Sequence, residues 1–160
     1  MRFGDYSRLI GGVFVELLFG AILFFIVRMF TDEAPRVVFI RDTASDWIAV
    51  TGQVLLPASV AIWITYVNIE STNFGDYLRY RRAAGAFQFS FTYPCLVFFI
   101  ATCSLIFTKG TKVSVMPDVS IFLMAYSVAV FFVMILNVGS VMRLYGAFRI
   151  EMEKEKLRGN

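Results

Sequence analysis

Hydrophobic residues fall into four long runs along the chain, and a polar segment separates each run from the next. The runs cover about residues 9–30, 47–69, 86–107 and 119–142. A helix that crosses the hydrocarbon core of a bilayer needs ~20 mostly apolar residues, and each run has that length. The pattern predicts an all-α integral membrane protein, in which residues 1–148 form a four-transmembrane-helix bundle.

The polar segments between and after the runs are short. Residues 31–46 are predicted to form a loop with Pro35 and a β-like apolar run, Val37-Val38-Phe39-Ile40. Residues 149–160 are rich in helix-favouring side chains, so we expect a short cytoplasmic helical tail that continues the fourth helix. Neither segment is long enough to form a separate soluble domain.

The composition limits the chemistry that the chain can perform. Of its 160 residues, 58% are hydrophobic and only 17% are charged. In soluble domains, about a quarter of the residues are charged. There is no His, which excludes a histidine base, a histidine-activated nucleophile and a histidine-containing zinc site. We therefore expect no enzyme activity, no metal and no cofactor.

Basic residues are divided unequally between the two sides of the predicted bundle. Ten of the 15 belong to the N-terminus, the 70–85 loop and the segment after Met142. The positive-inside rule then predicts that both termini are cytoplasmic. The net charge of +3 is assigned to anchoring beside lipid headgroups, and no nucleic acid is expected. The expected location is a multi-pass position in a membrane, the bacterial inner or plasma membrane.

A short motif occurs twice on the predicted cytoplasmic side. Phe3–Arg8 (FGDYSR) and Phe74–Arg79 (FGDYLR) share five of six residues, and each precedes a pair of hydrophobic runs. One interpretation is a duplicated helical hairpin, as in the repeats of transporters. The other is chance, because Gly, Tyr and Arg are common at membrane interfaces. The sequence leaves both interpretations open.

An acidic residue inside the first hydrophobic run is the main candidate for a functional group. Glu16 lies ~10 Å along that helix, where a charge facing lipid costs at least ~2.5 kcal/mol. Gly12 and Gly20 lie four residues on either side of it, and small residues let helices approach closely. We expect Glu16 in a helix–helix seam, either as a pore or ion site or as a protonated carboxyl in a structural hydrogen bond.

Other polar residues lie at a similar depth and are the expected neighbours of Glu16. Gln88 and Asn137 are the pore or seam candidates in the third and fourth runs, and the wider polar set adds Asn68, Ser90, Thr92 and Ser140. Pro57 and Pro94 fall inside the second and third runs. Each removes a backbone N–H donor, so both positions are predicted kinks.

Arginines on the predicted cytoplasmic face lie among aromatic residues. This arrangement favours binding to anionic lipid headgroups. A cytosolic protein or a phosphate-bearing anionic ligand is the alternative partner. The candidate residues are Arg79, Arg81, Arg82, Arg143 and Arg149.

Two functional hypotheses follow from these features. The first is a homo-oligomeric channel or membrane-perturbing effector that is gated from its basic cytoplasmic face, because one small bundle is too narrow to enclose a wide pathway. The alternative is a non-catalytic anchor or accessory subunit of a larger membrane complex, which recruits a cytosolic partner. The bilayer is a partner in both, and further copies of the chain are partners in the first.

Overall fold

The computed structural model describes residues 3–111, 113 and 115–158, with the side-chain surroundings of residues 13–111, 113 and 115–154. All regular secondary structure in these residues is helical. The elements are α1 (Phe3–Phe30), α2 (Glu33–Ile48), a π-helical segment (Ala49–Leu55), α3 (Leu56–Glu70), α4 (Asn73–Tyr80), α5 (Ala84–Gly110) and α6 (Met116–Arg158).

Four helical stretches are long and apolar enough to cross a membrane. They are Val13–Phe30 within α1, the continuous stretch Glu33–Glu70 formed by α2, the π segment and α3, then Ala84–Gly110 and Met116–Lys154. The all-α, multi-pass character predicted from the hydrophobic runs is confirmed at this level. α6 continues as far as Arg158 and so includes residues 149–158 of the predicted tail; that this tail is cytoplasmic stays a prediction.

The predicted loop at residues 31–46 is wrong, because α2 begins at Glu33. Asp32 occupies the N-cap position with extended backbone angles, and Glu33 adds an acidic side chain to the first turn, which suits a helix N-terminus. Pro35 also lies in this first turn, where its missing N–H breaks no helical hydrogen bond. The β-like run 37–40 is helical, since local strand preference gives way without a neighbouring strand.

The predicted 70–85 loop contains the short helix α4. Its apolar face buries Phe74, Gly75 and Leu78, while Asp76 is exposed. A Cβ atom on Gly75 would collide with the carbonyl oxygen of Glu70, so glycine permits α4 to pack closely against the end of α3. This explains the glycine in the second copy of the repeated motif.

The centre of the molecule is the pair α5 and α6, which pack against each other extensively. α3 packs on α5, and α2 packs on both α5 and α6. α1 packs chiefly on α6. We call the side where α3 ends, α5 begins and α6 ends the terminal side, and the side of the α1–α2 and α5–α6 turns the loop side.

The two hairpins of the hypothetical duplication are packed differently. α5 and α6 contact each other directly, whereas α1 has its main contact with α6 and not with the α2–α3 stretch that follows it. Their motifs also differ in setting, because the first copy is part of α1 and the second forms α4. Duplication therefore stays a hypothesis of the sequence.

Candidate functional site

The helix α1 contacts the rest of the molecule through a narrow stripe. Within residues 13–30, only Glu16 and Gly20 are buried, and Glu16 is 8% exposed. Residues next to them in sequence, such as Val15 and Leu17, are exposed. Because residues four apart lie on one helix face, Glu16 and Gly20 point together towards α6.

Gly20 permits the close approach of α1 to α6. A Cβ atom at this position would lie 3.0 Å from the Cα atom of Tyr126, which is closer than real Cβ contacts normally are. The Tyr126 hydroxyl is hydrogen bonded to the hydroxyl of Tyr93 and so links α6 to α5. Gly12, the other predicted glycine of the stripe, lies outside the residues whose surroundings the structure describes.

A cavity of about 190 Å³ lies where α1, α5 and α6 meet. Glu16 contributes to its wall from α1, Ser90 and Tyr93 from α5, and Asn137 from α6, with apolar side chains such as Met134 completing it. At ~30 Å³ per water molecule, the space is sufficient for about six waters. The cavity therefore combines one carboxyl group with three neutral polar side chains.

One oxygen of the Glu16 carboxyl group is left unsatisfied by the part of the chain that the structure describes. The Oε2 atom is buried and has no hydrogen-bond partner among the described residues. No arginine or lysine lines the cavity among the described residues. Buried polar atoms are normally paired because an unpaired one costs about 1–3 kcal/mol. An unpaired carboxyl oxygen beside a polar cavity is therefore a site that can accept a proton, a cation or a hydrogen-bond donor.

The other members of the predicted polar set are divided between the cavity and the surface. Ser90 and Asn137 line the cavity, whereas Gln88 and Thr92 are exposed. Gln88 therefore lies away from the Glu16 seam. It is two residues before Ser90 on α5, and two residues correspond to a rotation of ~200° around a helix, so the two side chains lie on nearly opposite faces. Asn68 is exposed, and the Ser140 hydroxyl donates to the carbonyl of Leu136 at 2.9 Å.

The two prolines have different settings. Pro94 is buried inside α5 and lines the Glu16 cavity. Pro57 is exposed in the first turn of α3, immediately after the π-helical segment. In that segment Thr51 is buried, and it accepts a hydrogen bond from the Thr102 hydroxyl of α5 at 3.0 Å. Sequence reasoning missed the π-helical segment, although Pro57 marks the position where an α-helical hydrogen bond is lost.

A second buried polar cluster lies towards the loop side and was also missed. The Ser120 hydroxyl on α6 is 2.7 Å from the Ser104 hydroxyl and 2.8 Å from the Thr108 hydroxyl, both on α5. Beyond it, the Arg36 Nε donates to the Asp118 carboxylate at 3.1 Å. Hydroxyl side chains are common in membrane helices, so their presence does not indicate a cluster. Which of them meet depends on the relative rotation of α5 and α6, and the sequence does not give that rotation.

The basic face on the terminal side is built from α4 and the end of α6. Arg81 lies over the Tyr77 ring at 5.2 Å and pairs with Glu151 at 3.1 Å. Interaction with the Tyr77 side chain, followed by that with Glu151, raises the pKa of Arg81. Arg79 pairs with Asp76 at 3.4 Å.

The remaining candidate arginines, Arg82, Arg143 and Arg149, are exposed and form no ion pair within the part of the chain that the structure describes. Apolar and aromatic side chains of α4 and α6 lie beside this face, with the Phe74 ring centroid 5.1 Å from that of Tyr145. The face can therefore offer positive charge to an anionic lipid or protein.

Comparison of the chain with protein-family models, with curated proteins and with solved structures finds no match. The Glu16 cavity and the basic face are therefore the two features of the chain that indicate a function.

Proposed function

We propose that the chain is a homo-oligomeric membrane protein that acts as an ion channel or membrane-perturbing effector, gated from its basic terminal face. The observation that carries this proposal is the buried, unpaired Glu16 Oε2 atom beside a cavity in the membrane-spanning helices. Ionisable residues inside a membrane are costly and mark ion or proton pathways. A carboxyl group with a purely structural role would be expected to have a hydrogen-bond partner.

The orientation of Glu16 favours one version of this proposal. Its side chain faces α6 of the same chain, which supports an ion site within each protomer over a ring of carboxylates around an oligomer axis. The exposed apolar side chains at the far end of α1, such as Phe25 and Phe30, are then available to lipid or to neighbouring copies. In this version the basic face receives the signal, and the Glu16 cavity lies on the ion pathway.

Ion flux from proteoliposomes tests the proposal. We expect flux with the wild-type chain and its loss in Glu16→Ala, because the substitution removes the carboxyl group that interacts with the ion. Phe14→Ala is the matched control, since it shortens a lipid-facing side chain two residues away on the same helix. Unchanged flux in Glu16→Ala, or no flux from wild type with acidic pH and anionic lipid as triggers, contradicts the proposal.

The second candidate function is a non-catalytic anchor that recruits a cytosolic partner. It is favoured by the length of α6, whose 43 residues span ~64 Å, about twice the ~30 Å hydrocarbon core. The exposed residues 149–154 at its end offer a helical surface outside the lipid. A foreign subunit that copurifies stoichiometrically in mild detergent, and is lost on truncation after Phe148, favours the anchor over the channel.

A further inference from the structure

Resting on the proposed function, we propose that the ion bound in the Glu16 cavity is a proton, and that the Tyr93–Tyr126 hydroxyl pair is the next step on its path. The cavity, the unpaired carboxyl oxygen and the hydroxyl pair adjoin one another. Glu16 and Tyr93 line the same cavity, and the Tyr93 hydroxyl is hydrogen bonded to that of Tyr126.

The ligand set of the cavity suits a proton better than a divalent metal cation. Ca²⁺ takes 6–8 oxygen ligands, and Mg²⁺ demands near-octahedral coordination. The cavity provides one carboxyl group and the neutral side chains of Ser90, Tyr93 and Asn137. Within the described residues, no group of three or more His, Cys, Asp or Glu residues could hold a metal ion. A proton needs only one carboxyl oxygen.

The charges around Glu16 also favour proton binding. From α5, Tyr93 is the titratable group that lines the cavity, and from α6 the next is Tyr126 behind it. Neither is a cation that could neutralise an ionised carboxylate. Proton binding removes the negative charge without a partner side chain, since a hydronium ion transfers its proton to Oε2 and leaves a neutral water.

The hydroxyl pair can carry the proton one step further without forming a stable ion. The O–H bond of protonated Glu16 breaks, and the proton forms an O–H bond with the Tyr93 oxygen. At the same time the original Tyr93 hydroxyl proton passes to the oxygen of Tyr126, and the original Tyr126 hydroxyl proton passes to a water molecule, which becomes hydronium in the stretch beyond Tyr126 once that stretch is hydrated. Both tyrosines stay neutral overall, and Glu16 becomes a carboxylate that can bind the next proton.

An apolar stretch closes this path beyond Tyr126. Val97, Phe98 and Ala101 are buried on α5 between Tyr93 and the hydroxyl cluster at Ser104. The 11 residues from position 93 to position 104 correspond to ~16 Å of helix. Protons therefore reach the loop side only after this stretch becomes hydrated, and it forms the closed gate in the present structure.

Labelling with dicyclohexylcarbodiimide tests the proton site without measuring flux. This apolar reagent takes the proton of a neutral carboxyl onto its nitrogen and bonds the carboxyl oxygen to its carbon, and the acyl group then migrates to nitrogen as a stable adduct. We expect Glu16 in the full-length chain to be labelled at low pH and the labelling to decline as pH rises. Peptide mass spectrometry identifies the adduct, which Glu16→Gln abolishes.

Two outcomes overturn the proton site. Labelling of Glu16 that does not change with pH identifies a permanently protonated, structural carboxyl, and no labelling at any pH shows that Oε2 does not bind a proton. In both cases ion flux that depends on Glu16 would leave the proposed channel intact. Conversely, pH-dependent labelling without flux supports the proton site and contradicts the channel.

Tyr93→Phe tests the relay, with Tyr66→Phe as the matched control. Both variants remove one phenol hydroxyl inside the molecule, but that of Tyr66 donates to the Ala84 carbonyl at 2.8 Å, away from the cavity. Positioned proton donors contribute ~10²–10⁴-fold to transfer rates, so we expect a decrease of at least about tenfold in proton flux for Tyr93→Phe only. Equal flux in both variants, each labelled at Glu16 like wild type, overturns the relay.

Discussion

At the scale of single residues, burial distinguishes interactions that have the same geometry. The Arg36–Asp118 and Arg81–Glu151 pairs both have an N–O distance of 3.1 Å. The Arg36 side chain is 7% exposed, whereas both side chains of the second pair are about half exposed. Arg36 also donates to the Thr31 carbonyl at 3.0 Å, so it fastens the α1–α2 turn to α6. Water competes for the second pair and weakens it.

The two ion pairs should therefore respond differently to the same chemical change. We expect Asp118→Asn to lower the free energy of unfolding by about 1–3 kcal/mol, because it leaves a buried guanidinium without its counter-charge. Glu151→Gln should cost less than ~1 kcal/mol, because the pair is exposed. Thermal unfolding in one detergent at low and high salt measures both, and an equal loss in the two variants would contradict the argument.

The sequence could identify Glu16 but only part of its surroundings. The four-residue spacing of Glu16 and Gly20 indicates one helix face, and that information is local to α1. The neighbours of Glu16 depend on how α5 is rotated about its axis. Ser90 and Gln88 are equally polar and nearly adjacent in sequence, yet only Ser90 lines the cavity. Nothing in the sequence distinguishes Tyr93 from the other aromatic residues.

At the scale of elements, hydropathy located the helices but not their ends. The four hydrophobic runs all lie within observed helices. α2 was missed because hydropathy measures suitability for lipid, and the charged residues of α2 reduce it without preventing a helix. The sequence contains helix start signals at Asp32, Glu33 and Pro35. These signals favour a helix more strongly than the β-like run favours a strand.

The end of α4 is unusual because an arginine occupies the left-handed position of its C-terminal cap. Arg82 has φ 57°. Its N–H donates to the Arg79 carbonyl and the Ala83 N–H donates to the Leu78 carbonyl, both at 2.9 Å. This is the Schellman pattern, in which glycine is usual since a Cβ atom disfavours left-handed backbone by about 1–2 kcal/mol.

Glycine at this position should stabilise the protein. We expect Arg82→Gly to raise the unfolding free energy by up to ~1 kcal/mol, because it removes the left-handed penalty. Arg82→Ala is the control, since it removes the same side chain but keeps the Cβ atom that disfavours φ 57°. Thermal unfolding in detergent compares them, and a lower melting temperature for Arg82→Gly would refute this account.

At the scale of the whole molecule, α1 is a peripheral helix. Only two of the 18 residues Val13–Phe30 are buried, compared with nine of the 27 residues Ala84–Gly110. Hydropathy identifies all four runs in the same way, so it could not indicate this difference in burial. Which helices pack together depends instead on the shape of the side chains along each helix face. The α1–α6 contact near Gly20 is therefore the point at which the Glu16 cavity can open.

A larger side chain at Gly20 should separate α1 from α6. We expect Gly20→Leu to expose Glu16, because even a Cβ atom would press against the Tyr126 backbone. Gly139→Leu is the control, since a Cβ atom there meets no heavy atom of the described residues within 4 Å. A water-soluble carbodiimide should label Glu16 in the first variant only. Equal labelling of Glu16 in both variants would show that Gly20 does not close the seam.

The unbroken course of α6 has a mechanical consequence. The same rod carries Asn137 at the cavity and Glu151 at the Arg81 contact, and the 14 residues between them span ~21 Å without a hinge. A rigid element transmits motion from one end to the other. A push or pull on the part of α6 beyond Glu151 should therefore displace the cavity wall, with the Arg81–Glu151 contact to α4 as the pivot.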